Sequence, residues 1–167
     1  MQSRRAETII REEVIVDATV DEVWDAWTTE AGIQSFFAPA CNVELRVDGP
    51  YEILFNPDAP TGERGAEGMR ILAFQPKTML AFTWNAPPHL SQVRGRLTHV
   101  LIRLQRCEEG RTRVTLTHSG WGEGGQWDEA LAYFEEAWGR IVLPRLRYRF
   151  SVGPVDWHSP PRVFPNQ

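Results

Sequence analysis

Long apolar runs are missing from this sequence. The longest, such as Ile141 to Leu143, fall far short of the ~20 residues that a membrane-spanning helix needs, so no membrane insertion is expected. The N-terminus, Met1-Gln-Ser-Arg-Arg-Ala-Glu, lacks the apolar core of a signal peptide, and a cytoplasmic location is expected. Cysteine is scarce. Cys41 and Cys107 are the only two, with no CxxC or Cys–His spacing, which argues against a zinc site or any other metal. Each lies at the edge of an expected strand and reads as a small packing residue in a reducing compartment. A basic excess is also lacking: 18 Lys and Arg face 22 Asp and Glu, giving a net charge of −4. Nucleic-acid binders usually carry a basic face. The one basic cluster, Arg140, Arg145, Arg147 and Arg149, lies near the end of the last helix, where cations complement the helix dipole. No G-x-S-x-G elbow, Walker loop or H-E-x-x-H occurs, and no cofactor is implied. There is no internal repeat and no linker that divides the chain.

What is present is ordinary globular material: 42% hydrophobic and 24% charged residues over 167 positions, enough for one domain with a real core. Glu7 to Asp17 alternates as a half-buried strand, with Ile10, Val14 and Val16 on one face and Arg11 and Glu13 on the other. Thr19 then precedes Val20-Asp21-Glu22, the pattern of a capping box. The helix it opens carries Trp24 and Trp27 on one side and stops near Thr28. A second helical turn covers Glu30 to Phe36. Strands are expected at Cys41 to Val47 and Tyr51 to Asn56, joined by Asp48-Gly49-Pro50. Pro57 to Gly65 reads as an exposed loop. Glu67 to Phe74 and Thr78 to Asn85 form a second hairpin about Gln75-Pro76-Lys77, and Ala86 to Arg94 is a second loop. Arg96 to Arg106 and Thr112 to Ser119 alternate as long strands around Glu108-Glu109-Gly110.

The longest helical pattern follows. Trp127, Leu131, Phe134, Trp138, Ile141 and Val142 recur at three- and four-residue spacing. Pro144 falls inside it and predicts a kink, because an interior proline removes a hydrogen bond and clashes one turn back. The helix should resume to about Phe150. Residues 1–152 are read as the domain and 153–167 as a proline-rich tail laid over the surface. Successive hairpins give an antiparallel sheet, and a long helix with one aromatic face must bury it against that sheet. The fold class is therefore α+β: a curved antiparallel sheet of about six to seven strands around a long C-terminal helix, with two short helices after the first strand.

Several stretches carry a family resemblance. Thr19-Val-Asp-Glu-Val-Trp-Asp-Ala-Trp-Thr-Thr is similar to the opening helix of the START-like, or helix-grip (SRPBCC), superfamily. Ser35-Phe36-Phe37-Ala38-Pro39 resembles the aromatic pair and proline of its activator of heat-shock-protein-90 ATPase-like branch. Gly49-Pro50-Tyr51-Glu52 sits where that branch has a Gly-Gly-aromatic turn. Leu80-Ala81-Phe82-Thr83-Trp84 and Thr115-Leu116-Thr117-His118-Ser119-Gly120-Trp121 are similar to two of its strands, and Trp138-Gly139 resembles part of its last helix. Together these cover residues 7 to 150 in order. Pro144 departs from the pattern, and the tail beyond Gly153 has no counterpart in it.

The resemblance implies a cavity between sheet and helix. Strand parity nominates Tyr51, Phe55, Phe82, Trp84 and His118 for its lining, the helix adds Phe134 and Trp138, and the short helices add Phe36 and Phe37. A filled aromatic core is the competing reading. His118 shares the face of Val114 and Leu116. It serves either as a polar ligand contact able to titrate near neutral pH or as a satisfied core histidine. Arg70 is a candidate for a ligand carboxylate or else a surface charge, and Glu67 and Tyr133 are weaker candidates. His99 faces outward. Ser119 neighbours His118 on a strand, so the two point to opposite faces and make no catalytic pair. The glycine-rich Gly120 to Gly125 reads as a hinge that gates the cavity.

Binding of a small, mostly hydrophobic, lipid-like or aromatic molecule ranks first. A protein-interaction or co-chaperone-like module, or a homodimer using Trp157 and Val163, ranks second. A cyclase- or hydrolase-type enzyme ranks third, since no set of catalytic groups can be assembled.

Overall fold

The computed structural model describes residues 8–163; the expected strand start at Glu7 and Pro165 of the tail lie outside that range. The first strand, β1 (Ile10–Val16), buries Ile10, Val14 and Val16 and turns Arg11 outward. Helix α1 (Val20–Thr28) begins at the expected capping box. The Glu22 amide donates to Thr19 Oγ1 at 3.2 Å and the Thr19 amide to Glu22 Oε1 at 3.1 Å. Helix α2 (Glu30–Gln34) follows at once, capped by Thr29, whose Oγ1 accepts from the Gly32 amide at 3.0 Å. The two helices approach so closely that a Cβ on Gly32 would lie 2.1 Å from the Asp25 carbonyl oxygen, so only glycine fits.

Five antiparallel strands form the main sheet in the order β1-β7-β6-β5-β4. They are β1, β4 (Ile71–Gln75), β5 (Met79–Trp84), β6 (Thr98–Arg106) and β7 (Thr112–Ser119). Strands β2 (Ala40–Val43) and β3 (Tyr51–Leu54) form a separate pair. A bridge between Pro50 and Arg70, with Tyr51 N–H donating to the Met69 carbonyl at 2.8 Å, ties this pair to β4. The seven strands therefore make one curved wall with a break in its ladder. The β2, β3 and β4 strands are shorter than expected. Asp48, at φ 63°, turns the chain sharply before Tyr51. Glu67 is engaged in closing the preceding loop and Gly68, at φ 82°, bends the chain before β4. The second loop also contains a short helix, α3 (Ser91–Arg94).

The long helix differs from expectation at Pro144. Helix α4 (Gln126–Ala137) passes through one π turn (Trp138–Val142) into α5 (Leu143–Ser151). Leu143 N–H reaches back five residues to the Trp138 carbonyl. The wider turn accommodates the proline, which then sits in the first turn of α5, where a missing N–H costs little. The helix is interrupted by this π turn just before Pro144 and resumes to Ser151. The extra residue in the turn also re-aims the faces: Val142, Leu143 and Leu146 are buried, whereas Ile141 is 41% exposed. Helix α5 lies against β1. Beyond it, Val155 is buried with its N–H on the Ser35 carbonyl, and the Trp157 indole N–H donates to the Gln34 carbonyl at 2.6 Å. Trp157 is thereby committed within the chain.

Candidate functional site

A cavity of about 460 Å³ opens at one end of the sheet. Its floor is Trp84 at the end of β5 and Phe37 just after α2. Its ceiling is the helical stretch from Tyr133 through the π turn to Arg145, and the two loops close its sides. Aromatic rings define its shape. Phe37 stacks on Trp84 at 5.9 Å between centroids, Phe134 stacks on Trp138 at 6.0 Å, and the two tryptophans meet at 5.4 Å. Phe55, Tyr133 and Ile141, 43%, 45% and 41% exposed, stand on the rim, so the cavity is open to solvent. An apolar concavity with a few polar groups at its edge suits a small molecule.

Of the ten residues nominated from the sequence, Phe37, Phe55, Trp84, Phe134 and Trp138 are brought together on this lining. The others are placed elsewhere. Phe36 and Phe82 are fully buried behind the wall, Phe36 edge-on to Trp27 at 5.0 Å. Tyr51 stacks on Phe82 at 4.3 Å and its hydroxyl donates to the Trp27 carbonyl at 2.7 Å; burial raises its pKa well above the ordinary phenol value. Arg70 is exposed, because Met69 and Ile71 on either side take the inward positions. Its guanidinium donates to the Asp48 carbonyl at 2.9 Å, so it does not meet a ligand in the cavity. Glu67 faces the first loop and accepts from the Gly62 and Arg64 amides. Burial opposes its ionisation, but these donors together with Arg64 and Arg94 hold its pKa below the ordinary value. His99 faces outward, within 2.9 Å of Ser119 Oγ.

His118 takes the second of its two expected roles, the satisfied core histidine, and is not a ligand contact. It points inward as its parity requires, but it is fully buried and absent from the lining. Its ring lies 4.2 Å from Trp121 and 5.1 Å from Phe134. Trp138 Nε1–H donates to Nδ1 at 3.0 Å, which leaves the ring proton on Nε2. That nitrogen donates to Thr98 Oγ1 at 2.6 Å, and the Thr98 hydroxyl donates to the Trp84 carbonyl at 3.4 Å. Burial, with a smaller contribution from His99, pushes its pKa down to about 3. A neutral imidazole therefore ties one cavity tryptophan to the backbone of the other. It positions the wall and does not take part in it.

The first part of the glycine-rich Gly120 to Gly125 stretch is packed, Glu123 to Gly125 are exposed, and none of the stretch lies on the cavity lining. Trp121 is buried with its indole N–H on the His118 carbonyl at 2.9 Å, and a Cβ on Gly122 would fall 2.2 Å from the Trp127 indole.

Two arginines were missed as site residues. Arg94 donates to the carbonyls of Gly62 at 2.9 Å, Gly65 at 2.7 Å and Ala86. It clasps the two loops beside the cavity, and Asn85 adds a bond to Gly65 at 3.1 Å. Backbone carbonyl partners leave no trace in a sequence. Arg145 was visible as part of the basic cluster, and its spacing of seven from Trp138 was the available signal. Among the described residues no group of three or more His, Cys, Asp or Glu could hold a metal ion, and no helix is long and apolar enough to cross a membrane.

The family model for activator of Hsp90 ATPase homolog 1-like protein matches residues 17–149. No curated protein matches the sequence. Three solved structures are similar. The Aha1 dimer from Colwellia psychrerythraea is 19% identical, with a TM-score of 0.66, and the match covers 87% of this chain and 98% of that one. DynU16, a putative protein in the dynemicin biosynthetic locus, is 21% identical with a TM-score of 0.65; 87% of this chain aligns with 48% of it, so the chain spans about half its length. PFC0360w, an HSP90 activator from Plasmodium falciparum, is 14% identical with a TM-score of 0.61, over 87% of this chain and 96% of that one. At such identities the likeness is one of fold.

Proposed function

The chain belongs to the activator of Hsp90 ATPase homolog 1-like family, and on that footing we propose that it binds a small, mostly hydrophobic or aromatic molecule in the cavity between its sheet and its C-terminal helix. The observation that carries this reading is the lining itself. Four aromatic residues from different parts of the chain, Phe37, Trp84, Phe134 and Trp138, surround about 460 Å³ of space. Close packing would normally fill such a volume in a core. Catalysis is not proposed, because the inward histidine is committed to Trp138 and Thr98 and brings no acid or base to the cavity. We read the location as cytoplasmic, in keeping with two free cysteines.

Native mass spectrometry of freshly purified protein, followed by denaturation and identification of anything released, tests the proposal. A stoichiometric apolar or aromatic adduct is expected. A clean mass together with no thermal shift across a lipid and aromatic library would count against it. A protein partner or homodimer is the second reading, favoured by the similarity to a dimer and to an HSP90 activator. Sedimentation at micromolar concentration checks the dimer.

A further inference from the structure

Three arginines border the cavity, and their partners differ. Arg94 is occupied by backbone carbonyls and faces the carboxylates of Glu67 and Glu63. Arg64 gives its Nε to the Ala59 carbonyl at 2.9 Å. Among the described residues Arg145 has neither kind of partner. Its Nε is buried without an acceptor, and among the described residues it forms no ion pair. Its guanidinium lies 5.3 Å over the Trp157 ring, so the side chain is held by stacking on the docked tail and not by a counter-charge. A half-buried cation without an anion is unfavourable, and here it stands on the lining of an apolar cavity.

We propose that Arg145 anchors the anionic end of the bound molecule, which is therefore an organic acid whose apolar body lies against Phe37, Trp84 and Trp138. This rests on the cavity being a binding site. The role expected of Arg70 passes to Arg145: Arg70 is bonded to Asp48 on the outer surface, whereas Arg145 stands on the lining without a charged partner among the described residues. The planar guanidinium matches a carboxylate with two parallel N–H donors, and the Trp157 stack pre-orients it. Burial alone acts on the Arg145 pKa, downward from its ordinary value, and an acid bound at that position would relieve this.

Calorimetric titration with two isosteric probes tests the proposal: naphthalene-2-carboxylate and naphthalene-2-carboxamide, each with wild type, Arg145→Gln and Arg145→Lys. The carboxylate should bind wild type about tenfold or more tightly than the amide, the scale of a charge-assisted pair. Arg145→Gln should lose that preference, binding the two probes about equally, and a wild-type circular dichroism spectrum and unfolding transition show that the variant is folded. Arg145→Lys should keep part of it. Equal affinity of the two probes for wild type, or an unchanged preference in Arg145→Gln, would overturn the anchor and leave the cavity reading standing. If neither probe binds wild type, the cavity reading fails and the anchor falls with it. Should Arg145→Gln not fold, the wild-type ratio and that of Arg145→Lys decide between these outcomes.

Discussion

His118 shows how a single side chain holds the cavity wall. Its neutral ring accepts from Trp138 and donates to Thr98, an arrangement that a second ring proton would break. Its folded pKa, about 3, lies below the ordinary 6.5. The unfolded chain therefore takes up a proton first as the pH falls. The stabilisation is fully present above pH 6.5 and declines from there down to about pH 3, by about 1.4 kcal/mol per pH unit. We expect wild type to lose stability faster than His118→Gln between pH 6.5 and 4 in urea unfolding. Parallel slopes would show that the imidazole is not the titrating group. The inward direction of His118 was legible from strand parity. Its partners were not, because Thr98 and Trp138 lie 20 residues away on either side and only the closed sheet and helix bring them together. The same limit explains Arg70: alternation could place it on β4's flank, but which flank faced the cavity depended on where the strand began.

At the scale of elements, capping and turn chemistry were the most legible, since the Thr19–Glu22 box and the sharp turns act over three or four residues. The π turn was not legible. Pro144 announces that the α-helix cannot run unchanged, but not whether it kinks or widens. Because the proline sits in the first turn of α5, it avoids most of the ~3 kcal/mol that an interior proline costs. Pro144→Ala should therefore change unfolding free energy by less than about 1 kcal/mol; a gain near 3 would show that the π turn does not relieve the proline. Arg94 is the counterpart among the loops. In Arg94→Ala, hydrogen exchange should accelerate in residues 57–65 and 86–90, which its carbonyl bonds tie together, while β6 and β7 keep wild-type protection. Unchanged exchange in both loops would remove the clasp from the account.

For the whole molecule, the order of elements and the sheet-on-helix architecture were readable because amphipathic pattern and hairpin signals both depend on local sequence. The volume between the layers was not, since a wall of Phe37, Trp84 and Trp138 reads the same whether it is packed solid or left open. Ala137, partly buried on the lining, offers a direct way to fill that space. Ala137→Phe should abolish binding of an aromatic probe while leaving the melting temperature at or above that of wild type; unchanged affinity would place the site elsewhere.

The most direct test of the cavity is nuclear magnetic resonance of the indole N–H groups during titration with naphthalene-2-carboxamide. The chain has seven tryptophans, so each reports from its own place in the fold. The account predicts that Trp84 and Trp138 shift in proportion to occupancy while Trp24, away from the lining, stays still. Saturation by the probe with Trp84 and Trp138 unmoved, or no binding at all, would contradict it.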